Sequence, residues 1–111
     1  MSSTPLAGKT AFVTGAAGGL GRTIVGGLIS AGARVFATDV DEVVLAALAR
    51  GIEAKHGKER VLTRRLDISD YTACAQTVAA AEGALGRIDI LVNNGALGMG
   101  VIRADHMTNL V

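Results

Sequence analysis

Near the start of the chain, between two apolar runs, stands the segment Thr14-Gly15-Ala16-Ala17-Gly18-Gly19-Leu20-Gly21. A pyrophosphate approaching a helix N-terminus is held by backbone N–H groups, and glycine is the residue that leaves no Cβ in its way. The spacing is Thr-Gly-x-x-x-Gly-x-Gly, with Gly15, Gly19 and Gly21 in the motif positions; the commoner Gly-x-Gly-x-x-Gly is absent. Gly21 would let the helix pack tightly on the sheet. Glycine-rich turns between strand and helix also arise for conformational reasons alone, so a second residue has to support the chemistry. Asp39, eighteen residues after Gly21, falls at the end of the next apolar run, where an adenosine ribose presents its hydroxyls to a carboxylate. The plainer role for Asp39 is a helix N-cap, which Asp41 could fill as well. A ribose-facing Asp39 repels a 2′-phosphate, and Ala16, Ala17 and Val40 bring no positive charge to receive one. NAD is therefore expected over NADP.

These residues need elements to position them, and the chain alternates short apolar runs with longer helical patterns, the form of repeated strand-helix-strand units. The first strand is Thr10 to Thr14. A helix follows from about Gly19 to Ala31, with Leu20, Ile24, Leu28 and Ile29 on one face and Gly32 as its stop. Gly26 and Gly27 inside it each cost about 1 kcal/mol relative to Ala, which implies a weak helix or a very close neighbour. The second strand is Arg34 to Thr38, ending at Asp39, and the second helix runs roughly from Glu42 to Lys55 with Val43, Val44, Leu45 and Leu48 apolar. Val61 to Leu66 forms the third strand, stopping at Asp67, and an Ala-rich third helix spans about Tyr71 to Leu85. Ile88 to Val92 is the fourth strand, running into Asn93, Asn94 and Gly95. The rest, to Val111, reads as a loop with a helix start near Thr108.

A chain of 111 residues suits one domain. Half of it is hydrophobic and 3% aromatic, a composition that fits a parallel sheet buried on both faces by Val, Leu, Ile and Ala. A net charge of +1 with both signs interspersed offers no basic stripe for nucleic acid. Cys74 is the only cysteine, which excludes an internal disulfide and a multi-cysteine metal site, and a buried inert thiol is expected. His56 and His106 are expected on the surface, with no metal site. Residues Met1 to Gly8 lack a charged segment followed by an apolar run, and no apolar stretch reaches spanning length. A soluble cytoplasmic protein is expected, with no membrane partner. Arg22, Arg64 and Arg65 are read as solvated surface residues.

Taken in order, Thr14-Gly15-x-x-x-Gly19-x-Gly21, Asp39, Leu66-Asp67-Ile68 and Asp89-Ile90-Leu91-Val92-Asn93-Asn94 resemble the coenzyme-binding half of the short-chain dehydrogenases/reductases. The resemblance covers nearly the whole chain. It implies an α/β fold: a Rossmann-type parallel sheet in strand order 3-2-1-4, helices on both faces, ending before the family's later strands. It implies a cofactor site at Thr14, Gly15, Gly19, Leu20, Gly21, Asp39, Asp67, Ile68, Asn94 and Gly95, with Asp67 and Ile68 beside the adenine and the Asn93 region supporting the sheet near the cofactor. The implied activity is hydride transfer between NAD and an alcohol or carbonyl substrate by a protein that is a homo-oligomer when complete. A non-catalytic nucleotide-binding module or an inactive gene fragment is the alternative.

The chain departs from the family pattern in two places. Asn93-Asn94-Gly95-Ala96 stands where the family reads Asn-Asn-Ala-Gly. The family's Ser and Tyr-x-x-x-Lys have no counterpart, since the only tyrosine, Tyr71, has Ala75 four residues on. Asn109 falls too early to be the family's proton-relay Asn and reads as a helix-start residue. No catalytic residue is therefore assigned, and residues 1–111 are expected to form a single partial NAD-binding domain.

Overall fold

The computed structural model describes residues 4–95. Four strands, β1 (Thr10–Thr14), β2 (Arg34–Asp39), β3 (Val61–Arg65) and β4 (Ile90–Asn93), alternate with helices α1 (Gly19–Ser30), α2 (Glu42–His56) and α3 (Tyr71–Leu85). The strands form one parallel sheet in the order β3-β2-β1-β4, as the family resemblance implies. β1 is a central strand and is buried at all five positions, which is why it reads as an unbroken apolar run rather than an alternating one.

Side chains alternate across a sheet, and here the alternation sorts the core into two layers. Ala11, Val13, Val35, Ala37 and Val61 face α1 and α2, where they meet Val25, Ile29, Leu45 and Ile52. Phe12 and Phe36 face the other way and pack with Leu66, which follows β3, and with Ala81 of α3. The two rings are ladder neighbours, stacked with centroids 5.5 Å apart. Because the chain adds β2 and β3 on one side of β1 and then crosses to add β4 on the other, the order reverses between β1 and β4. Ligand crevices in open α/β sheets lie at such a point, beyond the carboxyl ends of the strands.

Three expectations need correction. Leu20 fits the apolar face of α1 by its spacing but is 66% exposed, while Gly21, Val25 and Ile29 are buried. Gly21 packs against the turn before the helix, which rolls that side onto the sheet and turns Leu20 outward. Val43 likewise is exposed, and α2 is buried through Leu45 and Ile52. The last strand begins at Ile90 rather than Ile88, because Asp89 breaks into the ladder with its side chain. Its Oδ2 accepts from Thr10 N at 3.0 Å while its own N–H donates to Thr10 O at 2.9 Å. No close neighbour explains the paired glycines of α1, since a Cβ at Gly26 or Gly27 would meet nothing within 4 Å. Thr108, Asn109, His106 and Ala96 lie outside the described residues.

Candidate functional site

The carboxyl ends of β1 and β4 are tied together by Thr14. Its Oγ1 donates to Asn93 Oδ1 at 3.1 Å and accepts from Gly95 N at 2.9 Å. Asn94 adds a third link, Nδ2 to Gly15 O at 3.1 Å. Gly15 has φ +65°, and a Cβ there would stand 2.8 Å from Gly95 N, so both backbone conformation and the neighbouring loop demand glycine. A Cβ at Gly21 would overlap the Gly15 carbonyl and come within 2.8 Å of Ala16 Cα. The turn is thus folded tightly back on the helix it starts. Gly19 differs from both: a Cβ there would meet no atom within 4 Å, and the space beyond it is open.

Helix α1 begins without a side-chain cap. Its N-cap is Gly18, and its first turn holds no acidic residue. By contrast Asp41 caps α2 by accepting from Val44 N, and Asp70 caps α3 by accepting from Ala73 N, each at 3.0 Å. The first N–H groups of α1 and the positive end of its dipole therefore face the open space beyond Gly19, an arrangement suited to an anion.

Asp39 borders this space from β2. With Asp41 occupied as the cap, the carboxylate of Asp39 instead bridges two backbones: Oδ2 accepts from Ala17 N at 3.0 Å and Oδ1 from Asp41 N at 3.1 Å. An ionised carboxylate has about four acceptor positions, so half remain for a ligand's hydroxyls. The Ala17 bond also couples the glycine turn to the residue that would read the ribose, a link the sequence gives no sign of.

Asp67 and Ile68 follow β3 at the same end of the sheet. Asp67 Oδ1 accepts from Ser69 Oγ at 2.6 Å and from Ser69 N at 2.9 Å. These two bonds, with the nearby Arg65 guanidinium, hold its carboxyl below its usual range. Ile68 is half-buried and reaches Gly95: its Cδ1 lies 3.3 Å from where a Gly95 Cβ would stand, and Thr14 Oγ1 lies 3.1 Å from the same point. The space is tight for the Ala that the family carries there, which gives a local reason for Gly95.

All ten residues singled out from the sequence, Thr14, Gly15, Gly19, Leu20, Gly21, Asp39, Asp67, Ile68, Asn94 and Gly95, lie at or just beyond the carboxyl edge of the sheet. Leu20, turned outward, stands beside the uncapped start of α1. Cys74 is half-buried rather than fully buried, with Sγ 3.7 Å from Ile68 O. Among the described residues no group of three His, Cys, Asp or Glu is arranged to hold a metal. One residue near the site is not marked by the sequence: Arg65 pairs with Asp39 across the β2–β3 ladder, a relation that depends on strand register and not on spacing.

Comparison with known proteins bears on the family and the fold. The family model described as short chain dehydrogenase matches residues 9–109. The 2,3-dihydroxy-2,3-dihydro-p-cumate dehydrogenase of Pseudomonas putida is 39% identical over 102 residues, covering 92% of this chain and 38% of the relative. The 3beta-hydroxysteroid dehydrogenase 2 of Eggerthella lenta is 37% identical, covering 83% of this chain and 35% of its own length. Among solved structures, a short-chain dehydrogenase/reductase from Serratia marcescens superposes with a TM-score of 0.78 at 35% identity, over 95% of this chain and 44% of that one. A hydroxysteroid dehydrogenase from Escherichia coli gives 0.77 at 30% identity, over 84% and 39%. The chain spans less than half the length of these relatives.

Proposed function

The chain belongs to the short-chain dehydrogenase family, and on that footing we propose that it forms the coenzyme-binding half of an oxidoreductase acting on an alcohol or carbonyl substrate with NAD. The observation that carries the reading is the pairing of the uncapped α1 N-terminus with Asp39. The two features match the two ends of an adenosine diphosphate: an anion-seeking helix start and a carboxylate with acceptor positions to spare.

When bound, NAD supplies the hydride donor or acceptor. The residues of this chain bind and orient it. Backbone N–H groups at Gly19, Leu20 and Gly21 hold the pyrophosphate, with Gly19 giving it room. Asp39 accepts from the ribose hydroxyls and opposes a 2′-phosphate. Asp67 and Ile68 border the adenine, and Thr14, Asn94 and Gly95 keep the carboxyl ends of β1 and β4 in step beneath the cofactor. No proton-transferring side chain is assigned among these residues. The complete protein is read as a cytoplasmic homo-oligomer; among the described residues no helix is long and apolar enough to cross a membrane.

Calorimetric titration of the purified protein with NAD and NADP tests the proposal. NAD should bind at least tenfold more tightly, since a like charge facing the 2′-phosphate costs about 1.4 kcal/mol or more. Tighter binding of NADP, or no binding of either, would overturn it.

A further inference from the structure

Arg65 is the partner of Asp39 in the β2–β3 ladder. Paired residues of a parallel ladder point to the same face, their backbones about 4.8 Å apart. A guanidinium on a long stem is therefore rooted beside the carboxylate assigned to the ribose, and any role for it there rests on that assignment. Arg65 is exposed, and among the described residues it makes no ion pair within 4.0 Å. With Thr63, Arg64, Glu42, Leu45 and Ala46 it lines an open cavity of about 260 Å³ between β3 and the first turns of α2. Glu42 follows the Asp41 cap, whose N–H donates to Asp39, so the cavity wall is joined through one residue to the Asp39 carboxylate.

We propose that Arg65 is a latent 2′-phosphate receptor, and that Asp39 is the chief group denying it that ligand. The residues next to the site in sequence, Ala16, Ala17 and Val40, carry no cation; the register supplies one from another strand. A guanidinium offers five N–H donors in a fork that fits a phosphate. With Asp39 present, a phosphate at this position meets a carboxylate before it meets the guanidinium. With Asp39 replaced by a small neutral residue, the nearest charge across the ladder is positive. Glu42, on the cavity wall, and Asp67, whose carboxyl feels the Arg65 charge, partly oppose the same anion and set a limit on the gain. Cofactor preference in this chain therefore depends on the balance between Asp39 and Arg65.

The test uses adenosine 5′-monophosphate and adenosine 2′,5′-bisphosphate, which differ only in the 2′-phosphate, titrated calorimetrically against the purified protein. Wild type should favour the monophosphate. Asp39→Ser should raise the bisphosphate-to-monophosphate affinity ratio by at least about tenfold, the scale of a charge-assisted phosphate contact. Adding Arg65→Ala should abolish that gain, and Arg65→Lys in its place should keep part of it. Binding of the monophosphate reports that each variant is folded, and Arg65→Gln, which keeps much of the stem, carries the same test. A gain that survives loss of Arg65 would overturn the proposal, because relief of repulsion would then account for it. So would an Asp39→Ser variant that binds the monophosphate and shows no gain. Failure of every form to bind the monophosphate would instead overturn the cofactor reading itself, together with this inference.

Discussion

Asp39 holds the glycine turn and α2 with the same carboxylate that is proposed to read the ribose. Asp39→Ala should therefore weaken NAD binding and relax discrimination against NADP together. The loss for NAD is expected at about 1.5–3 kcal/mol, the range for hydrogen bonds to a charged group. Titration of both cofactors checks this; an unchanged ratio of the two affinities would count against it. Asp67 gives a pH dependence whose sign is fixed. Its carboxyl lies below the ordinary value of 3.8, chiefly through the Ser69 hydroxyl, then the Ser69 N–H and Arg65. A carboxyl depressed in the folded state adds stability above its unfolded value and loses it as pH falls through the folded one. Ser69→Ala should be less stable than wild type near neutrality, and the gap should close below pH 3.8. Denaturation profiles across that range decide it, and a gap independent of pH would contradict the assignment.

Helix α1 carries two opposed demands along its length. At its start, glycine is required by contact at Gly21 and, in the turn before it, at Gly15, whereas a Cβ at Gly26 or Gly27 would meet nothing within 4 Å. Gly27 is exposed, and Gly27→Ala should stabilise the protein by about 0.5–1 kcal/mol through helix propensity. A shift in the denaturant midpoint with unchanged slope would show this; destabilisation would mean that the outer face of α1 is covered in the assembled protein. The existence and order of the seven elements are legible because most strands are short apolar runs closed by Gly, Asp or Asn, and each helix is a longer periodic one. The faces are less legible. Leu20 and Val43 fit the apolar period of their helices, yet both are exposed. For Leu20 the roll of α1 follows from the packing of Gly21 on the turn at Gly15 and Ala16, and α2 is buried through Leu45 and Ile52 instead. The start of β4 is hidden because Asp89 substitutes a carboxylate for a ladder carbonyl. The glycine turn and Asp39 can be read from residue type and spacing. Arg65 beside Asp39 cannot, since strand register is a property of the assembled sheet.

Across the whole sheet, ladder pairing sets Leu62, Phe36, Phe12 and Leu91 in one row on the α3 face. The two rings at the centre are buried, but Leu91 at the end of the row is 68% exposed. Among the described residues β4 pairs only with β1, and its other edge carries neither Pro nor Lys to oppose pairing. Residues 1–111 alone are therefore expected to self-associate through this edge, and Leu91→Lys should shift them toward monomer. Sedimentation velocity of both forms measures it; a monomeric wild-type chain with a sharp thermal transition would show that the edge needs no cover.

The central claim is that the uncapped start of α1, together with Asp39, binds the NAD diphosphate and ribose. Backbone amide chemical shifts recorded during NAD titration test it most directly. Saturable shifts should be largest at Gly19, Leu20 and Gly21, accompanied by Ala17 through its bond to Asp39, with little change at the capped starts of α2 and α3. Saturable shifts centred elsewhere, or none at the α1 amides, would contradict it.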